Sequence, residues 1–487
     1  MAAWVAGTAL LLAVAVLPAA AQDDVTTQNG ASALNGGWIT GPASNPLSFL
    51  NGPAYRTFSS SAPYDFPDFR PASRLDATLP NWLAFGVEER LRYEGYNNGG
   101  FKPNNKDSYL LNRFRYQMTI QPTGWLKVVS QVQDARPFLQ KPPYGPPNEN
   151  RWDLKLAYAE LGDPEKQWIS LRVGRQLINY NNTLIANAEW RNQARSYDAV
   201  VTNLHYQRYR LGIFAASVVN PLASGVSHHL EGNNLYGLYG GIERIVPNSV
   251  LEPFVLWRVA PAVAVETAGS PESGRLNEKA YGFRLKMQTV RNFDSSWEMA
   301  WERGSAGSNL VRAWGASFGA GYRFDSAAWH PRLFGQYDYA SGDKNPTDGI
   351  HGTFDTISPT AHDRFGIADQ IGWQNIVSIR GGMTLEPHRR WTVTLQCLDF
   401  RLANATDSLY NGSGAPVVRD VTGKSGTHIG EELDAYTWYE VNRHVNLGAG
   451  VGHLIAGAFL RETTKAPAYN YTYFAVNFKD YGGPKHR

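Results

Sequence analysis

From Trp82 to Phe478 the chain repeats one unit: a segment of about ten residues in which apolar and polar positions alternate, closed in turn by a tight turn and by a long polar loop. The stretch from Tyr109 to Gln121 shows it plainly. Leu110, Phe114, Tyr116, Met118 and Ile120 fall on one set of alternating positions, and Arg113, Arg115, Gln117, Thr119 and Gln121 on the other. Side chains two apart share a face of a strand, so each unit predicts a strand with one apolar and one polar face. A soluble sandwich alternates too, but nothing in it demands a fixed strand length or two classes of connection. The pattern predicts an all-β fold, a transmembrane antiparallel β-barrel.

The connections fall into two interleaved sizes. Short ones centre on Pro122-Thr123-Gly124, Asp163-Pro164-Glu165, Pro247-Asn248-Ser249, Glu386-Pro387-His388 and Asn442-Arg443-His444; long ones run from Gly95 to Asp107, Pro137 to Asn150, Leu177 to Arg195, Pro261 to Asn277, Gly342 to Gln374 and Ala403 to Glu431. Bacterial outer-membrane barrels have short periplasmic turns and long extracellular loops, so the interleaving predicts orientation as well as fold. Strands counted between turns come to about eighteen, an even number that returns the chain to its starting side. Trp82, Trp125, Trp168, Trp297 and Trp391 each stand near the start of a strand leaving the short-turn side, where amphipathic rings form a girdle at headgroup depth.

Parity then assigns faces. With Leu83, Phe85, Val87 and Leu91 toward lipid, Glu88, Arg90, Arg92 and Glu94 point inward, and Arg113 and Arg115 follow on the next strand. The same rule sends Arg172, Arg258, Arg284, Lys286 and Arg380 inward, together with Glu160, Glu298, Glu302, Asp338 and Asp434. On the lipid face at mid-depth an Arg or Lys would cost about 2–4 kcal/mol, which supports the inward assignment. Such a lumen admits two uses of its charges: pairing with one another as a structural network, and presenting guanidinium forks to passing anions. Alternation fails on Lys127 to Arg136 and on Arg210 to Val218, as a bulge would cause.

Composition narrows the picture further. Aromatic residues make up 13% and charged residues only 18%, with 15 Trp and 47 Gly, and the mean hydropathy of -0.37 excludes a helical-bundle membrane protein while suiting a barrel with wet lumen and loops. A net charge of +3 gives no global basic field for nucleic acid, so any charge selectivity is local. One cysteine, Cys397, excludes an intramolecular disulfide and a thiolate metal cluster. Asp343, Asn345 and Asp348-Gly349 imitate part of a calcium loop but the remaining ligand positions fail, leaving a polar turn. His228-His229 reads as a solvated loop pair. No nucleophile elbow or phosphate-cradling loop sits in a suitable context, so neither a catalytic residue, a metal nor a cofactor is expected.

Outside the barrel, residues 1–21 read as a secretory signal: an apolar run from Ala2 to Leu17, then Pro18 and the small residues Ala19-Ala20-Ala21. Residues 22–80, rich in Ser, Asn and Pro, read as a periplasmic extension, residues 81–478 as the barrel and residues 479–487 as a C-terminal tail.

Several stretches resemble the alginate export family of outer-membrane proteins: RVGRQLINY at Arg172 to Tyr180, WRNQARSYDAV at Trp190 to Val200, YDYASGDKNPTDGIHGTFDT at Tyr337 to Thr356, LANATDSLY at Leu402 to Tyr410, GEELDAY at Gly430 to Tyr436 and GHLIAG at Gly452 to Gly457. The resemblance implies an eighteen-stranded barrel in the bacterial outer membrane that is not an enzyme and whose electropositive lumen passes a polyuronate from periplasm to exterior. It adds Arg175 and Arg195 to the lumen or loop arginines and Asp343 to the acidic partners, and it implies that the loop from Gly342 to Gln374 partly covers the outer mouth. The expected partners are an anionic polysaccharide or sugar acid, outer-membrane lipid and periplasmic export machinery, with no nucleic acid. The chief alternative on the same barrel is a general or substrate-specific uptake porin for small anions or sugar acids. A secreted β-sandwich adhesin is the third.

Overall fold

The computed structural model describes residues 79–142, 148–164, 167–180, 184–267, 270–290, 292–442, 444–465 and 468–481. The expected signal, all but the last two residues of the extension, and residues 482–487 of the tail lie outside them.

Strand β1 spans Leu83–Asn97, β2 Asp107–Thr123, β3 Leu126–Phe138, β4 Asn150–Leu161, β5 Ile169–Gln176, β6 Tyr197–Tyr206 and β7 Tyr209–Asn220. They are followed by β8 His228–Glu243, β9 Ser249–Thr267, β10 Ser270–Val290, β11 Phe293–Ala306, β12 Asn309–Arg323 and β13 Arg332–Ala340. After a two-residue strand β14 (Ile350–His351) come β15 Ile376–His388 and β16 Trp391–Leu402, then short β17 (Leu409–Tyr410) and β18 (Pro416–Val418), and finally β19 His428–Glu440, β20 Val445–Ala456 and β21 Ala468–Tyr481. The long strands pair antiparallel with their neighbours, and β1 pairs with both β2 and β21, which closes an eighteen-stranded barrel. Closure removes every open edge, which is what permits strands to sit in hydrocarbon. No helix among the described residues is long and apolar enough to cross a membrane.

Burial follows parity. On β1 the even positions from Ala84 to Glu94 are buried while Leu91 and Tyr93 are exposed on the outside, and on β2 Arg113, Arg115, Gln117 and Thr119 are buried beside half-exposed Phe114 and exposed Tyr116. Trp82, Trp125, Trp168 and Trp297 are exposed at the short-turn end, joined there by Tyr206, Tyr209, Phe293, Tyr322 and Trp329. On β3 Val129, Gln131 and Gln133 are buried in turn, as are Arg210, Gly212, Phe214 and Ala216 on β7, and the register shifts put the extra residues on the partners, on β4 opposite Gln131 to Ala135 and on β8 opposite Ser217 to Val219. The expected bulges on β3 and β7 are therefore corrected: the sequence there does not alternate because the inward Val129, Phe214 and Ala216 are apolar and the outward Ser130 is polar. Leu395 lies on the lipid side near the middle of β16. Leu395→Arg is expected to destabilise the barrel by about 2–4 kcal/mol in urea unfolding from lipid vesicles, and an unchanged midpoint would place that face in water.

One long connection is corrected. Pro261 to Asn277 was expected as a loop, but β9 and β10 run through it as a hairpin in register from Met287↔Ser249 to Ser270↔Thr267. Its Pro, Gly and Ser residues read as loop formers, whereas edge-to-edge pairing with a single partner beyond the barrel rim tolerates them. The turn between β11 and β12 is equally tight, at Gly307-Ser308.

Candidate functional site

Two long-loop segments fold back into the barrel: L3 (177–196) and L7 (341–375). They bond to each other inside it. Ile185 bridges Ser358 in parallel, Ser358 donates its amide to Leu184 O at 2.9 Å, and Ala186 N donates to Ser358 O at 3.0 Å. Arg195 ties the same crossing by donating to Ala186 O at 2.8 Å and Pro359 O at 3.3 Å.

The β1–β2 wall grips L3 by its carbonyl groups. Arg90 donates to Glu189 O and Arg191 O, both at 2.8 Å, Arg92 donates to Trp190 O, and Arg113 donates to Glu189 O at 3.1 Å. Arg113 and Arg115 also each pair with the Glu189 carboxylate at 3.0 Å and with Glu88. Lys155 reaches Ala194 O from β4, and Arg284 reaches Tyr180 O at 2.7 Å from the far wall while pairing with Glu252. Burial alone would raise the pKa of Glu189, but Arg115 and Arg113 outweigh it and hold the carboxyl below the usual carboxylate range. Burial, then Arg195, push the pKa of Arg191 down to about 10.

The wall from β9 round to β19 grips L7, in part by its amide groups. Asp355 N donates to Glu302 at 2.9 Å, Ile367 N to Asp434 at 3.2 Å and Ala368 N to Glu432 at 3.1 Å. Side chains of L7 add ion pairs to both kinds of charge: Asp355 with Arg258, Asp363 with Arg380 at 3.1 Å, and Arg364 with Asp338 at 3.5 Å. Gly366 makes the approach possible. Its φ of +85° suits glycine, and a Cβ there would strike the Glu432 carboxylate. Between the polar grips the loops bury apolar residues: Ile178, Tyr180, Leu184 and Ile185 of L3 and Phe354, Phe365, Ile367 and Trp373 of L7 share one core with Phe214, Tyr239, Phe254 and Leu256 of the β7–β9 wall.

Most of the residues assigned inward by parity therefore converge on these loops. Arg90, Arg92, Arg113, Arg115, Arg284 and Glu88 meet around L3; Arg258, Arg380, Glu302, Asp338 and Asp434 meet around L7. Arg172 and Glu160 pair with each other at 2.8 Å, Glu160 also pairs with Lys127 nearer the short-turn end, and Glu298 stands opposite Arg284 with buried Lys286 on the same face. Arg175 is a correction. It pairs across the sheet with Asp198 rather than standing with Arg172 and Val201, so it faces away from the lumen, forked to Asp198 at 2.8 and 3.0 Å under Ser227 O. Parity missed Lys155, Glu189, Asp355 and Glu432. The loop residues have no period to read, although apolar Phe354, Phe365, Ile367 and Trp373 in a supposedly wet loop were a signal of burial.

A closed barrel of eighteen strands, apolar outside, girdled by aromatic residues and lined with charges, is a bacterial outer-membrane channel. The family model for alginate export matches residues 81–474, and the chain belongs to that family. Among solved structures it is similar to OccAB2 of Acinetobacter baumannii (12% identity, TM-score 0.56, 82% of this chain and 98% of that one). It is also similar to OpdO of Pseudomonas aeruginosa (10%, 0.54, 83% and 99%) and to OccD3 (OpdP) of the same organism (12%, 0.54, 83% and 92%). At such identities the likeness concerns the fold alone. No curated protein matches the chain.

Proposed function

We propose that this channel passes anionic sugar-sized solutes, sugar acids above all, by passive diffusion along its basic wall. The observation that supports the reading is the crossing of L3 and L7 inside the lumen, held on one side by the buried cations Arg90, Arg92, Arg113, Arg115 and Lys155, which narrows the path to solute size. Buried as they are, these cations act on the path through their field, which lowers the cost of bringing a carboxylate into the pore, while Glu88 and Glu189 moderate it enough for the solute to leave. The path needs no energy source of its own; a concentration gradient suffices. Export of a long polyuronate is the second reading, favoured by the family match, and it requires L3 and L7 to swing aside.

In planar bilayers under a salt gradient, the reversal potential should report anion selectivity, and in liposomes glucuronate should enter faster than glucose. Cation selectivity would end the account based on the arginines. Entry of monomer with no block by long alginate supports the first reading, and block by alginate added on the short-turn side supports the second.

A further inference from the structure

At the long-loop end a cavity of about 440 Å³ lies between β1, the L1 loop (98–106), L3, L7, the L8 loop (403–427) and β21, above the grip on L3. Its volume falls in the range of small-molecule sites. One side is aromatic. Tyr96 stacks on Tyr469 at 6.2 Å between centroids and meets Tyr109 edge-on at 6.3 Å, and Tyr471 continues the surface. Another side carries charge. Of the cations that line it, Arg92 is committed to Glu94 at 2.6 Å and to Trp190, over whose ring it lies at 4.0 Å. Among the described residues Arg191 donates to Ser413 Oγ at 2.7 Å and Gly412 O at 3.5 Å, with the charge of Asp369 in its neighbourhood, and exposed Lys102 has no ion pair. Asp369, held by His362 at 2.9 Å, offers an acceptor in the same lining.

We infer that this cavity is a capture site for a single uronate ring, with the carboxylate between Lys102 and Arg191, the apolar face of the sugar against the tyrosines and a hydroxyl donating to Asp369. The inference rests on the proposed conduction of sugar acids and adds to it a resting place at the outer mouth. Each part of the ligand answers a feature of the cavity: charge-assisted hydrogen bonds for the carboxylate, aromatic surface for ring C–H groups, a carboxylate acceptor for the hydroxyl. Acetate supplies only the first and glucose only the last two.

Calorimetric titration of the full chain in detergent should show saturable binding of glucuronate, with glucose and acetate weaker by at least about tenfold, as the loss of one charge-assisted contact implies. Lys102→Glu, an exposed loop change that leaves the barrel intact, should weaken glucuronate by more than about tenfold, and Arg191→Ala by a similar factor. Equal binding of glucose, or glucuronate binding indifferent to both substitutions, would overturn the capture site. Liposome entry of glucuronate separates this failure from that of the proposed function: entry without such binding removes the capture site and leaves conduction standing, whereas binding without entry supports the site and removes conduction.

Discussion

Arg90→Ala combined with Arg113→Ala will release L3 and raise single-channel conductance several-fold while lowering anion selectivity. The two guanidinium groups supply four hydrogen bonds to Glu189 O and Arg191 O, and one of the two arginine pairings of the Glu189 carboxylate. Removing one partner of a buried ion pair costs about 3–5 kcal/mol because the other charge is stranded, so the docked loop loses more than its apolar contacts return. Recordings in planar bilayers check this, and conductance equal to the parent channel would show that L3 stays docked on its apolar face alone. Lysine at the same two places is a stringent control, since it keeps the charge but replaces the rigid planar fork by a compact ammonium group on a flexible stem. The Glu189 carboxyl sets the pH response. Its pKa is depressed in the docked state, so its contribution is fully present above the ordinary carboxylate value and is lost as pH falls through the lower docked value. The parent channel should keep its low conductance at pH 5 and open only in stronger acid. With Arg113 removed the same transition should move to higher pH.

Gly366→Val will undock the inner limb of L7. A β-branched residue at φ +85° is strained by about 1–2 kcal/mol, and its side chain would occupy the space of the Glu432 carboxylate, which accepts from Ala368 N. Losing that bond leaves a buried carboxylate short of a donor, at about 1–3 kcal/mol more. Trp373, a residue of L7 itself and 2% exposed, reports the change: acrylamide quenching of tryptophan emission should rise by a Trp373-dependent component, absent when Trp373→Phe is added. An unaltered quenching curve would mean that L7 accommodates the side chain by shifting Glu432 instead.

The barrel wall was legible because its information is local. A side-chain period of two needs only the strand itself, so Glu88, Arg90, Arg113 and Arg284 could be sent inward without knowledge of any partner. On β3 and β7 the two faces differ too little in polarity for the period to show, and at Arg175 the family resemblance misplaced the side chain. The site itself is non-local. Arg90 and Glu189 are 99 residues apart, and Ala368 and Glu432 are 64 apart. Nothing in an aperiodic loop states that its carbonyls will meet arginines on one wall and its amides carboxylates on the other.

The grip on both loops falls largely on the main chain. Arg90 and Arg92 touch carbonyl oxygens of Glu189, Trp190 and Arg191, and Glu302, Asp434 and Glu432 touch amides of Asp355, Ile367 and Ala368. Every residue type but proline offers both groups. The wall thus registers the course of the loop and is indifferent to much of its lettering: a position such as Arg191 can be rewritten to suit another solute while the constriction stays where it is. Aperture and taste are tuned by separate atoms.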